Sequence, residues 1–138
     1  MKKLCGLLMG VLLCNSAAVE GNDFRCLKSV GLKNPLRLQF TFPGGNDDVG
    51  FVMYQKGSGE IRVKRKKEET VREVTGGRPW EFQSVWEEVT SNGNGGQYII
   101  TSQGAIISEF KYIRKDGKVF SFEDDLEAST ADGCRWGK

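Results

Sequence analysis

The chain has 138 residues, with 20 Lys and Arg against 18 Asp and Glu, four cysteines and no histidine. Without histidine, the Ser-His-Asp and Cys-His catalytic pairs and most zinc sites are closed to it. The near balance of charge offers no global attraction to nucleic acid or anionic lipid, and the length sets one domain able to bury about two-thirds of its unfolded surface.

Residues 1–18 read as a signal peptide. Lys2 and Lys3 precede a largely apolar run from Leu4 to Leu13, and the small residues Ser16 and Ala18 fit cleavage after Ala18. The run is about ten residues, short of the roughly twenty that span a bilayer as a helix, so no permanent membrane anchor is expected. A lipid on Cys14 is the rival reading, but Leu13 stands where such a signal wants a small residue. Residues 19–138 then form a single β domain. Removing Lys2 and Lys3 with no acid leaves 18 charges of each sign, so the mature chain is neutral. Cys26 and Cys134 remain, and in an exported protein such a pair is expected to form a disulfide joining the two ends of the fold. Closing so long a loop stabilises by roughly 4 to 5 kcal/mol on chain entropy. A redox pair would want Cys-x-x-Cys spacing, which is absent.

Along the mature chain, apolar and polar residues alternate with period two between Gly, Asn and Asp clusters, the pattern of antiparallel strands. Leu36, Leu38, Phe40 and Phe42 alternate with Arg37, Gln39 and Thr41 until the turn Pro43–Asp48. A strand follows over Val49–Gln55. After "KGSGE", Ile61 and Val63 point one way, and Arg62, Lys64 and Lys66 the other. Residues 64–77 suit a short strand containing Val71 and Val74, or else a helical turn, ended by Gly76-Gly77. Trp80, Phe82, Ser84 and Trp86 alternate with Glu81, Gln83, Val85 and Glu87, and "SNGNGG" at 91–96 is a turn.

The last three strands can be registered. A three-residue loop at Lys115-Asp116-Gly117, with Gly117 left-handed, sets Tyr112 opposite Phe120, Phe110 opposite Phe122, Lys111 opposite Ser121 and Ile113 opposite Val119. A two-residue loop would mix apolar with polar on both faces, and a one-residue slip reverses every side chain. A loop at Ser102-Gln103-Gly104 pairs Ile100 with Ile106 and Tyr98 with Ser108. One face then gathers Tyr98, Ile100, Ile106, Phe110, Tyr112, Phe120 and Phe122 as a core wall. The reverse face carries Ile99 opposite Ile107, and Ile113 opposite Val119.

The expected fold is all-β: a small antiparallel meander of about eight strands, either a closed lipocalin-like barrel or a two-layer sandwich, tied by one disulfide. Three candidate sites follow. Ile99, Ile107, Ile113 and Val119 form a candidate partner surface, unless a terminal tail held by the cystine covers them. Arg62, Lys64 and Lys66 form a candidate anion patch, the plainer reading being an edge strand whose lysines deter aggregation. Trp80, Trp86, Tyr98 and Tyr112 are candidate pocket residues, the plainer reading being a second wall of the core. The doublets Asp47-Asp48, Glu68-Glu69, Glu87-Glu88 and Asp124-Asp125 are not catalytic pairs, because neighbours on a strand point to opposite faces. "GGNDD" is a turn before it is a calcium loop. No cofactor and no metal is expected.

In size, export and strand rhythm alone, the chain resembles the small periplasmic β proteins that inhibit lysozyme. These features favour an exported, non-enzymatic binding protein, a periplasmic inhibitor or immunity-type factor directed at another protein such as a cell-wall hydrolase or toxin. A barrel carrying a lipid or metabolite is the alternative, and a carboxylate-based glycoside hydrolase a remote one.

Overall fold

A computed structural model describes residues 23–42, 44 and 48–137; the expected signal peptide and most of the Pro43–Asp48 turn lie outside the described residues. Eight antiparallel strands follow one another around a closed barrel: β1 Phe24–Ser29, β2 Arg37–Thr41, β3 Val49–Tyr54, β4 Glu60–Arg72, β5 Glu81–Thr90, β6 Gly93–Gln103, β7 Ile106–Ile113 and β8 Val119–Asp124. A 3-10 turn, Leu126–Ala128, and the two-residue strands β9 (Ser129–Thr130) and β10 (Gly133–Cys134) complete the chain. Of the two expected architectures, the barrel is the one formed. Closure depends on β1, which pairs with β2 on one side and β8 on the other, so that the barrel has no free seam there.

The alternation read from sequence sets the inside. Leu27, Leu38, Phe40, Val52, Val63, Trp86, Tyr98, Ile100, Phe110 and Phe122 form one buried cluster. Phe40 sits at its middle, with ring centroids 5.5 Å from Trp86, 5.8 Å from Tyr98 and 5.7 Å from Phe110, all edge-on. Edge-to-face packing of this kind suits the ring quadrupoles, and four aromatics at these separations fill a barrel of eight strands. Truncating Phe40 to Ala is expected to destabilise by about 3–5 kcal/mol.

The β7–β8 hairpin has the expected register, with Phe110 opposite Phe122, Lys111 opposite Ser121, Tyr112 opposite Phe120 and Ile113 opposite Val119. Gly117, at φ +91°, takes the left-handed position of the loop. Asp116 holds that loop, accepting hydrogen bonds from Arg114 Nε at 2.9 Å and the Lys118 amide at 3.1 Å.

The β6–β7 hairpin corrects the expected register. Its turn is the pair Gly104-Ala105, with Gly104 at φ +59°. Gln103 therefore faces Ile106 and Ser102 faces Ile107, but further along Thr101 faces Glu109, Ile100 faces Phe110 and Tyr98 faces Tyr112. Ser108 is the extra residue, a β-bulge that reverses side-chain parity between the turn and the rest of the strand. Ile106, expected in the core, is 69% exposed. Ile107, expected on the partner surface, packs against the core, and Ile99 lies opposite Lys111.

Two further elements differ in extent. The uncertain stretch after Lys64 continues as strand to Arg72, with register shifts at Arg65/Lys67 and Thr70/Arg72 that absorb its irregular charge pattern. The expected turn at 91–96 is confined to Ser91-Asn92, and β6 already begins at Gly93. Cys26 and Cys134 are bonded across a separation of 108 residues. The bond fixes the C-terminal segment on the outside of β1 and β2, where the Cys134 amide donates to Gln39 Oε1 at 2.9 Å.

Candidate functional site

Of the four aromatics expected to share a pocket, Trp86, Tyr98 and Tyr112 are inward cross-strand neighbours packed into the core, and Trp80 stands apart. Six residues of strand span roughly 20 Å, so Trp80 and Trp86 cannot line one small hollow along β5. Trp80 precedes β5 and is 44% exposed. Trp86 lies in the core, its Nε1 donating to Ser84 Oγ at 3.0 Å and the Arg65 guanidinium 5.4 Å above its ring. Tyr98 and Tyr112 stack on each other, centroids 4.7 Å apart, toward the barrel end formed by the start of β6 and the end of β7.

That end is closed by a hydrogen-bonded plug. The Glu88 carboxylate accepts from the Gly96 amide at 2.9 Å, Tyr112 at 2.8 Å and Tyr98 at 3.3 Å. The Tyr54 and Tyr98 hydroxyls are 2.7 Å apart. Because Tyr98 has one hydroxyl proton and gives it to Glu88, Tyr54 must donate to Tyr98. Burial, with the nearby Glu88 charge adding, pushes Tyr54 up to about 12 and raises Tyr98 and Tyr112 as well, so all three remain protonated donors at neutral pH. Plain alternation on β5 places Glu88 inside with Trp86 and sends Glu87 outward, while the register shift between Glu87 and Val89 puts the extra residue on β6, at Gly95-Gly96. Gly96 is required there, since a Cβ would sit 2.4–2.6 Å from the Tyr112 ring.

The opposite mouth is shallow and internally matched. It holds a hollow of about 200 Å³ bordered by Phe42, Arg65, Ser84, Trp86 and Ile107. Arg65 is bonded to Asp48 at 2.7 Å and Glu68 at 3.1 Å, and Arg25 donates to the Ala105 carbonyl at 2.9 Å. Among the described residues, neither mouth leaves a converging set of unmet polar groups. Among the described residues no three of Cys, Asp or Glu come together as metal ligands would.

The outside of the barrel is different. Cross-strand partners link Val49, Lys64, Glu87, Gln97, Ile113 and Val119 in one row, and Lys67, Val85, Ile99, Lys111 and Ser121 in the next. Val85, Ile99, Ile113 and Val119 thus share an outward apolar patch, with Val119 53% exposed and the others half-buried. Arg62 and Lys64 are exposed on β4, separated from Ile113 by Glu87 and Gln97 along the row, and make no ion pair among the described residues. Lys66 adjoins them and reaches Glu87 at 3.7 Å. The candidate partner surface, less Ile107 and with Val85 added, is therefore continuous with the candidate anion patch across β4–β8. Neither described end of the chain covers it: the N-terminal segment is β1 itself, and the C-terminal segment lies on β1–β2. The sequence reading missed the tyrosine plug and the buried Asp125: Glu88 follows Trp86 in phase but its donors stand on β6 and β7, and an irregular C-terminal turn places Asp125. The signals available were Tyr98 and Tyr112 on core-phased positions and Glu88 two residues from Trp86.

No protein-family model, curated protein or solved structure matches the chain.

Proposed function

We propose that this is an exported, non-enzymatic binding protein that acts through the outside of its barrel, an inhibitor or immunity-type factor whose partner is another exported or cell-wall-directed protein. The observation that carries this reading is the outward belt, in which Arg62 and Lys64, without an ion pair among the described residues, stand at the β4 end of a row that runs through Glu87 and Gln97 to the apolar Ile113 and Val119. Interfaces combine an apolar centre with charged rims that steer the encounter, and the matching partner presents acidic groups around an apolar patch. The Cys26–Cys134 disulfide is compatible with an oxidising compartment.

The filled interior weighs against the carrier alternative, in which Phe40, Trp86, Tyr98 and Phe110 would have to make room for a ligand. The hydrolase alternative needs an accessible carboxylate pair, whereas Glu88 is sealed and bonded to three donors.

Native mass spectrometry of the protein purified from its own host separates these readings. A stoichiometric protein partner is the expected result, and a co-purifying lipid or metabolite within the barrel would replace this reading by the carrier. Zymography on peptidoglycan and polysaccharides is expected to show no clearing; clearing abolished by a single carboxylate substitution would make the protein an enzyme.

A further inference from the structure

A second site lies away from the belt, where the disulfide-tied C-terminal segment crosses the outside of the barrel. There a cleft of about 660 Å³ runs between Asn34-Pro35 and Gln55-Lys56 on one side and Arg135-Trp136 on the other. Its floor is Arg37, whose Nη1 donates to Asp125 Oδ2 at 2.7 Å, with Asp125 only 2% exposed. The far wall is held in place by the Cys134 disulfide and by the Arg135 amide, which donates to the Ala128 carbonyl at 2.7 Å.

Three features of this cleft ask for a ligand. Among the described residues, Arg37, Lys56 and Arg135 face Asp125 and Glu127 there, an excess of one positive charge, and Asp125 is already matched by Arg37. Among the described residues, the Lys56 and Arg135 side chains have neither an ion pair nor a hydrogen bond. Trp136 Nε1 is the one buried side-chain polar atom, among the described residues, that lacks an acceptor. An excess of a single charge suits one carboxylate better than a phosphate, which carries close to two.

A second hollow, of about 270 Å³, adjoins the cleft and shares Pro35, Arg37, Gln55 and Lys56 with it. Leu36, Tyr54 and the aliphatic stems of Arg37 and Lys56 make its lining apolar. A polar cleft with an apolar annex, in the size range of small-molecule sites, matches an amphipathic ligand. We propose that this composite site binds a small organic acid, one carboxylate on an apolar body, with Lys56 and Arg135 holding the carboxylate beside the Trp136 indole and the annex taking the body. The site is independent of the belt, and its test reads nothing there.

Octanoate below its micellar concentration is the probe, and octanamide, with the same body and no charge, is the control. Binding is followed by calorimetry and by the three indole N–H resonances of the ¹⁵N-labelled protein. Octanoate is expected to saturate and to move the Trp136 indole resonance while leaving that of Trp80 in place. Octanamide is expected to bind at least tenfold more weakly, and Lys56→Gln/Arg135→Gln to weaken octanoate at least tenfold with the thermal midpoint unchanged. A Trp136→Phe variant assigns the resonance. Absence of saturation, octanamide binding as tightly as octanoate, undiminished binding by Lys56→Gln/Arg135→Gln, or movement of Trp80 in place of Trp136 would each overturn the proposal.

Discussion

At the scale of single residues, the barrel end is governed by groups whose hydrogen bonds are all made inside it. Tyr54, Tyr98 and Tyr112 are the only tyrosines of the chain, and all three belong to the Glu88 network. Each is held neutral by burial, so each has a folded pKa above the ordinary 10.0. A group shifted this way contributes stability that is intact below its unfolded pKa and is lost as pH rises through the folded one. Native protein is therefore expected to show little tyrosinate absorbance at pH values near 10, and stability should decline from there toward about 12, where Tyr54 ionises. Tyrosinate appearing gradually near pH 10 while the fold persists would contradict the network. Within it, Tyr112→Phe leaves Glu88 two donors and should destabilise by about 1 kcal/mol, whereas Glu88→Ala strands three donors and should cost about 3 kcal/mol. Gly96→Ala should cost about 1–3 kcal/mol through overpacking against Tyr112. Denaturant titrations with unchanged slope would measure all three. Tyr98 and Tyr112 were legible in sequence as strand-phased core residues, and Glu88 shares the phase of Trp86; the meeting of these groups with Tyr54 was not legible, because it depends on how β3, β5, β6 and β7 come together across the barrel.

At the scale of elements, turns decide how much of the pattern can be trusted. The β7–β8 hairpin was readable because its two candidate loops give opposite face assignments, and only one keeps Phe110, Tyr112, Phe120 and Phe122 together. The β6–β7 hairpin offered no such contrast, since Ile106 and Ile107 are equally apolar and either could face the core. The bulge at Ser108 selects Ile107. Accordingly, Ile106→Lys should change stability by no more than about 0.5 kcal/mol, and Ile107→Lys should cost about 2 kcal/mol; equal costs would argue against the bulged register. Gly117→Ala probes the other turn. Nothing lies within 4 Å of its missing Cβ, so the loss of about 1 kcal/mol expected there comes from the left-handed backbone alone. Among the described residues, β4 beyond Arg65 pairs only with β5, and its Lys66, Lys67, Glu68, Glu69 and Arg72 give that edge the charges that deter strand-to-strand aggregation. The continuity of this basic stretch with the apolar patch was invisible in sequence, because it depends on the registers of four separate strand pairs.

At the scale of the whole molecule, closure and the disulfide do separate jobs. Closure by β1 gives the barrel its filled interior; sequence left a sandwich open because nothing in Phe24–Ser29 announces that it pairs on both sides. The Cys26–Cys134 bond restrains the C-terminal segment that walls the outer cleft. Replacing both cysteines by serine should lower stability by up to about 4–5 kcal/mol, as the 108-residue separation implies, and thiol titration of the denatured, unreduced mature protein should find none free. Two free thiols would refute the staple. The central claim is that a barrel packed solid acts from its outer belt. Its most direct test is the affinity of the co-purified partner for Ile113→Glu/Val119→Glu and, in parallel, for Tyr54→Phe. The belt variant is expected to bind at least tenfold more weakly and the interior variant unchanged. Undiminished binding by the belt variant, or loss confined to Tyr54→Phe, would contradict the account.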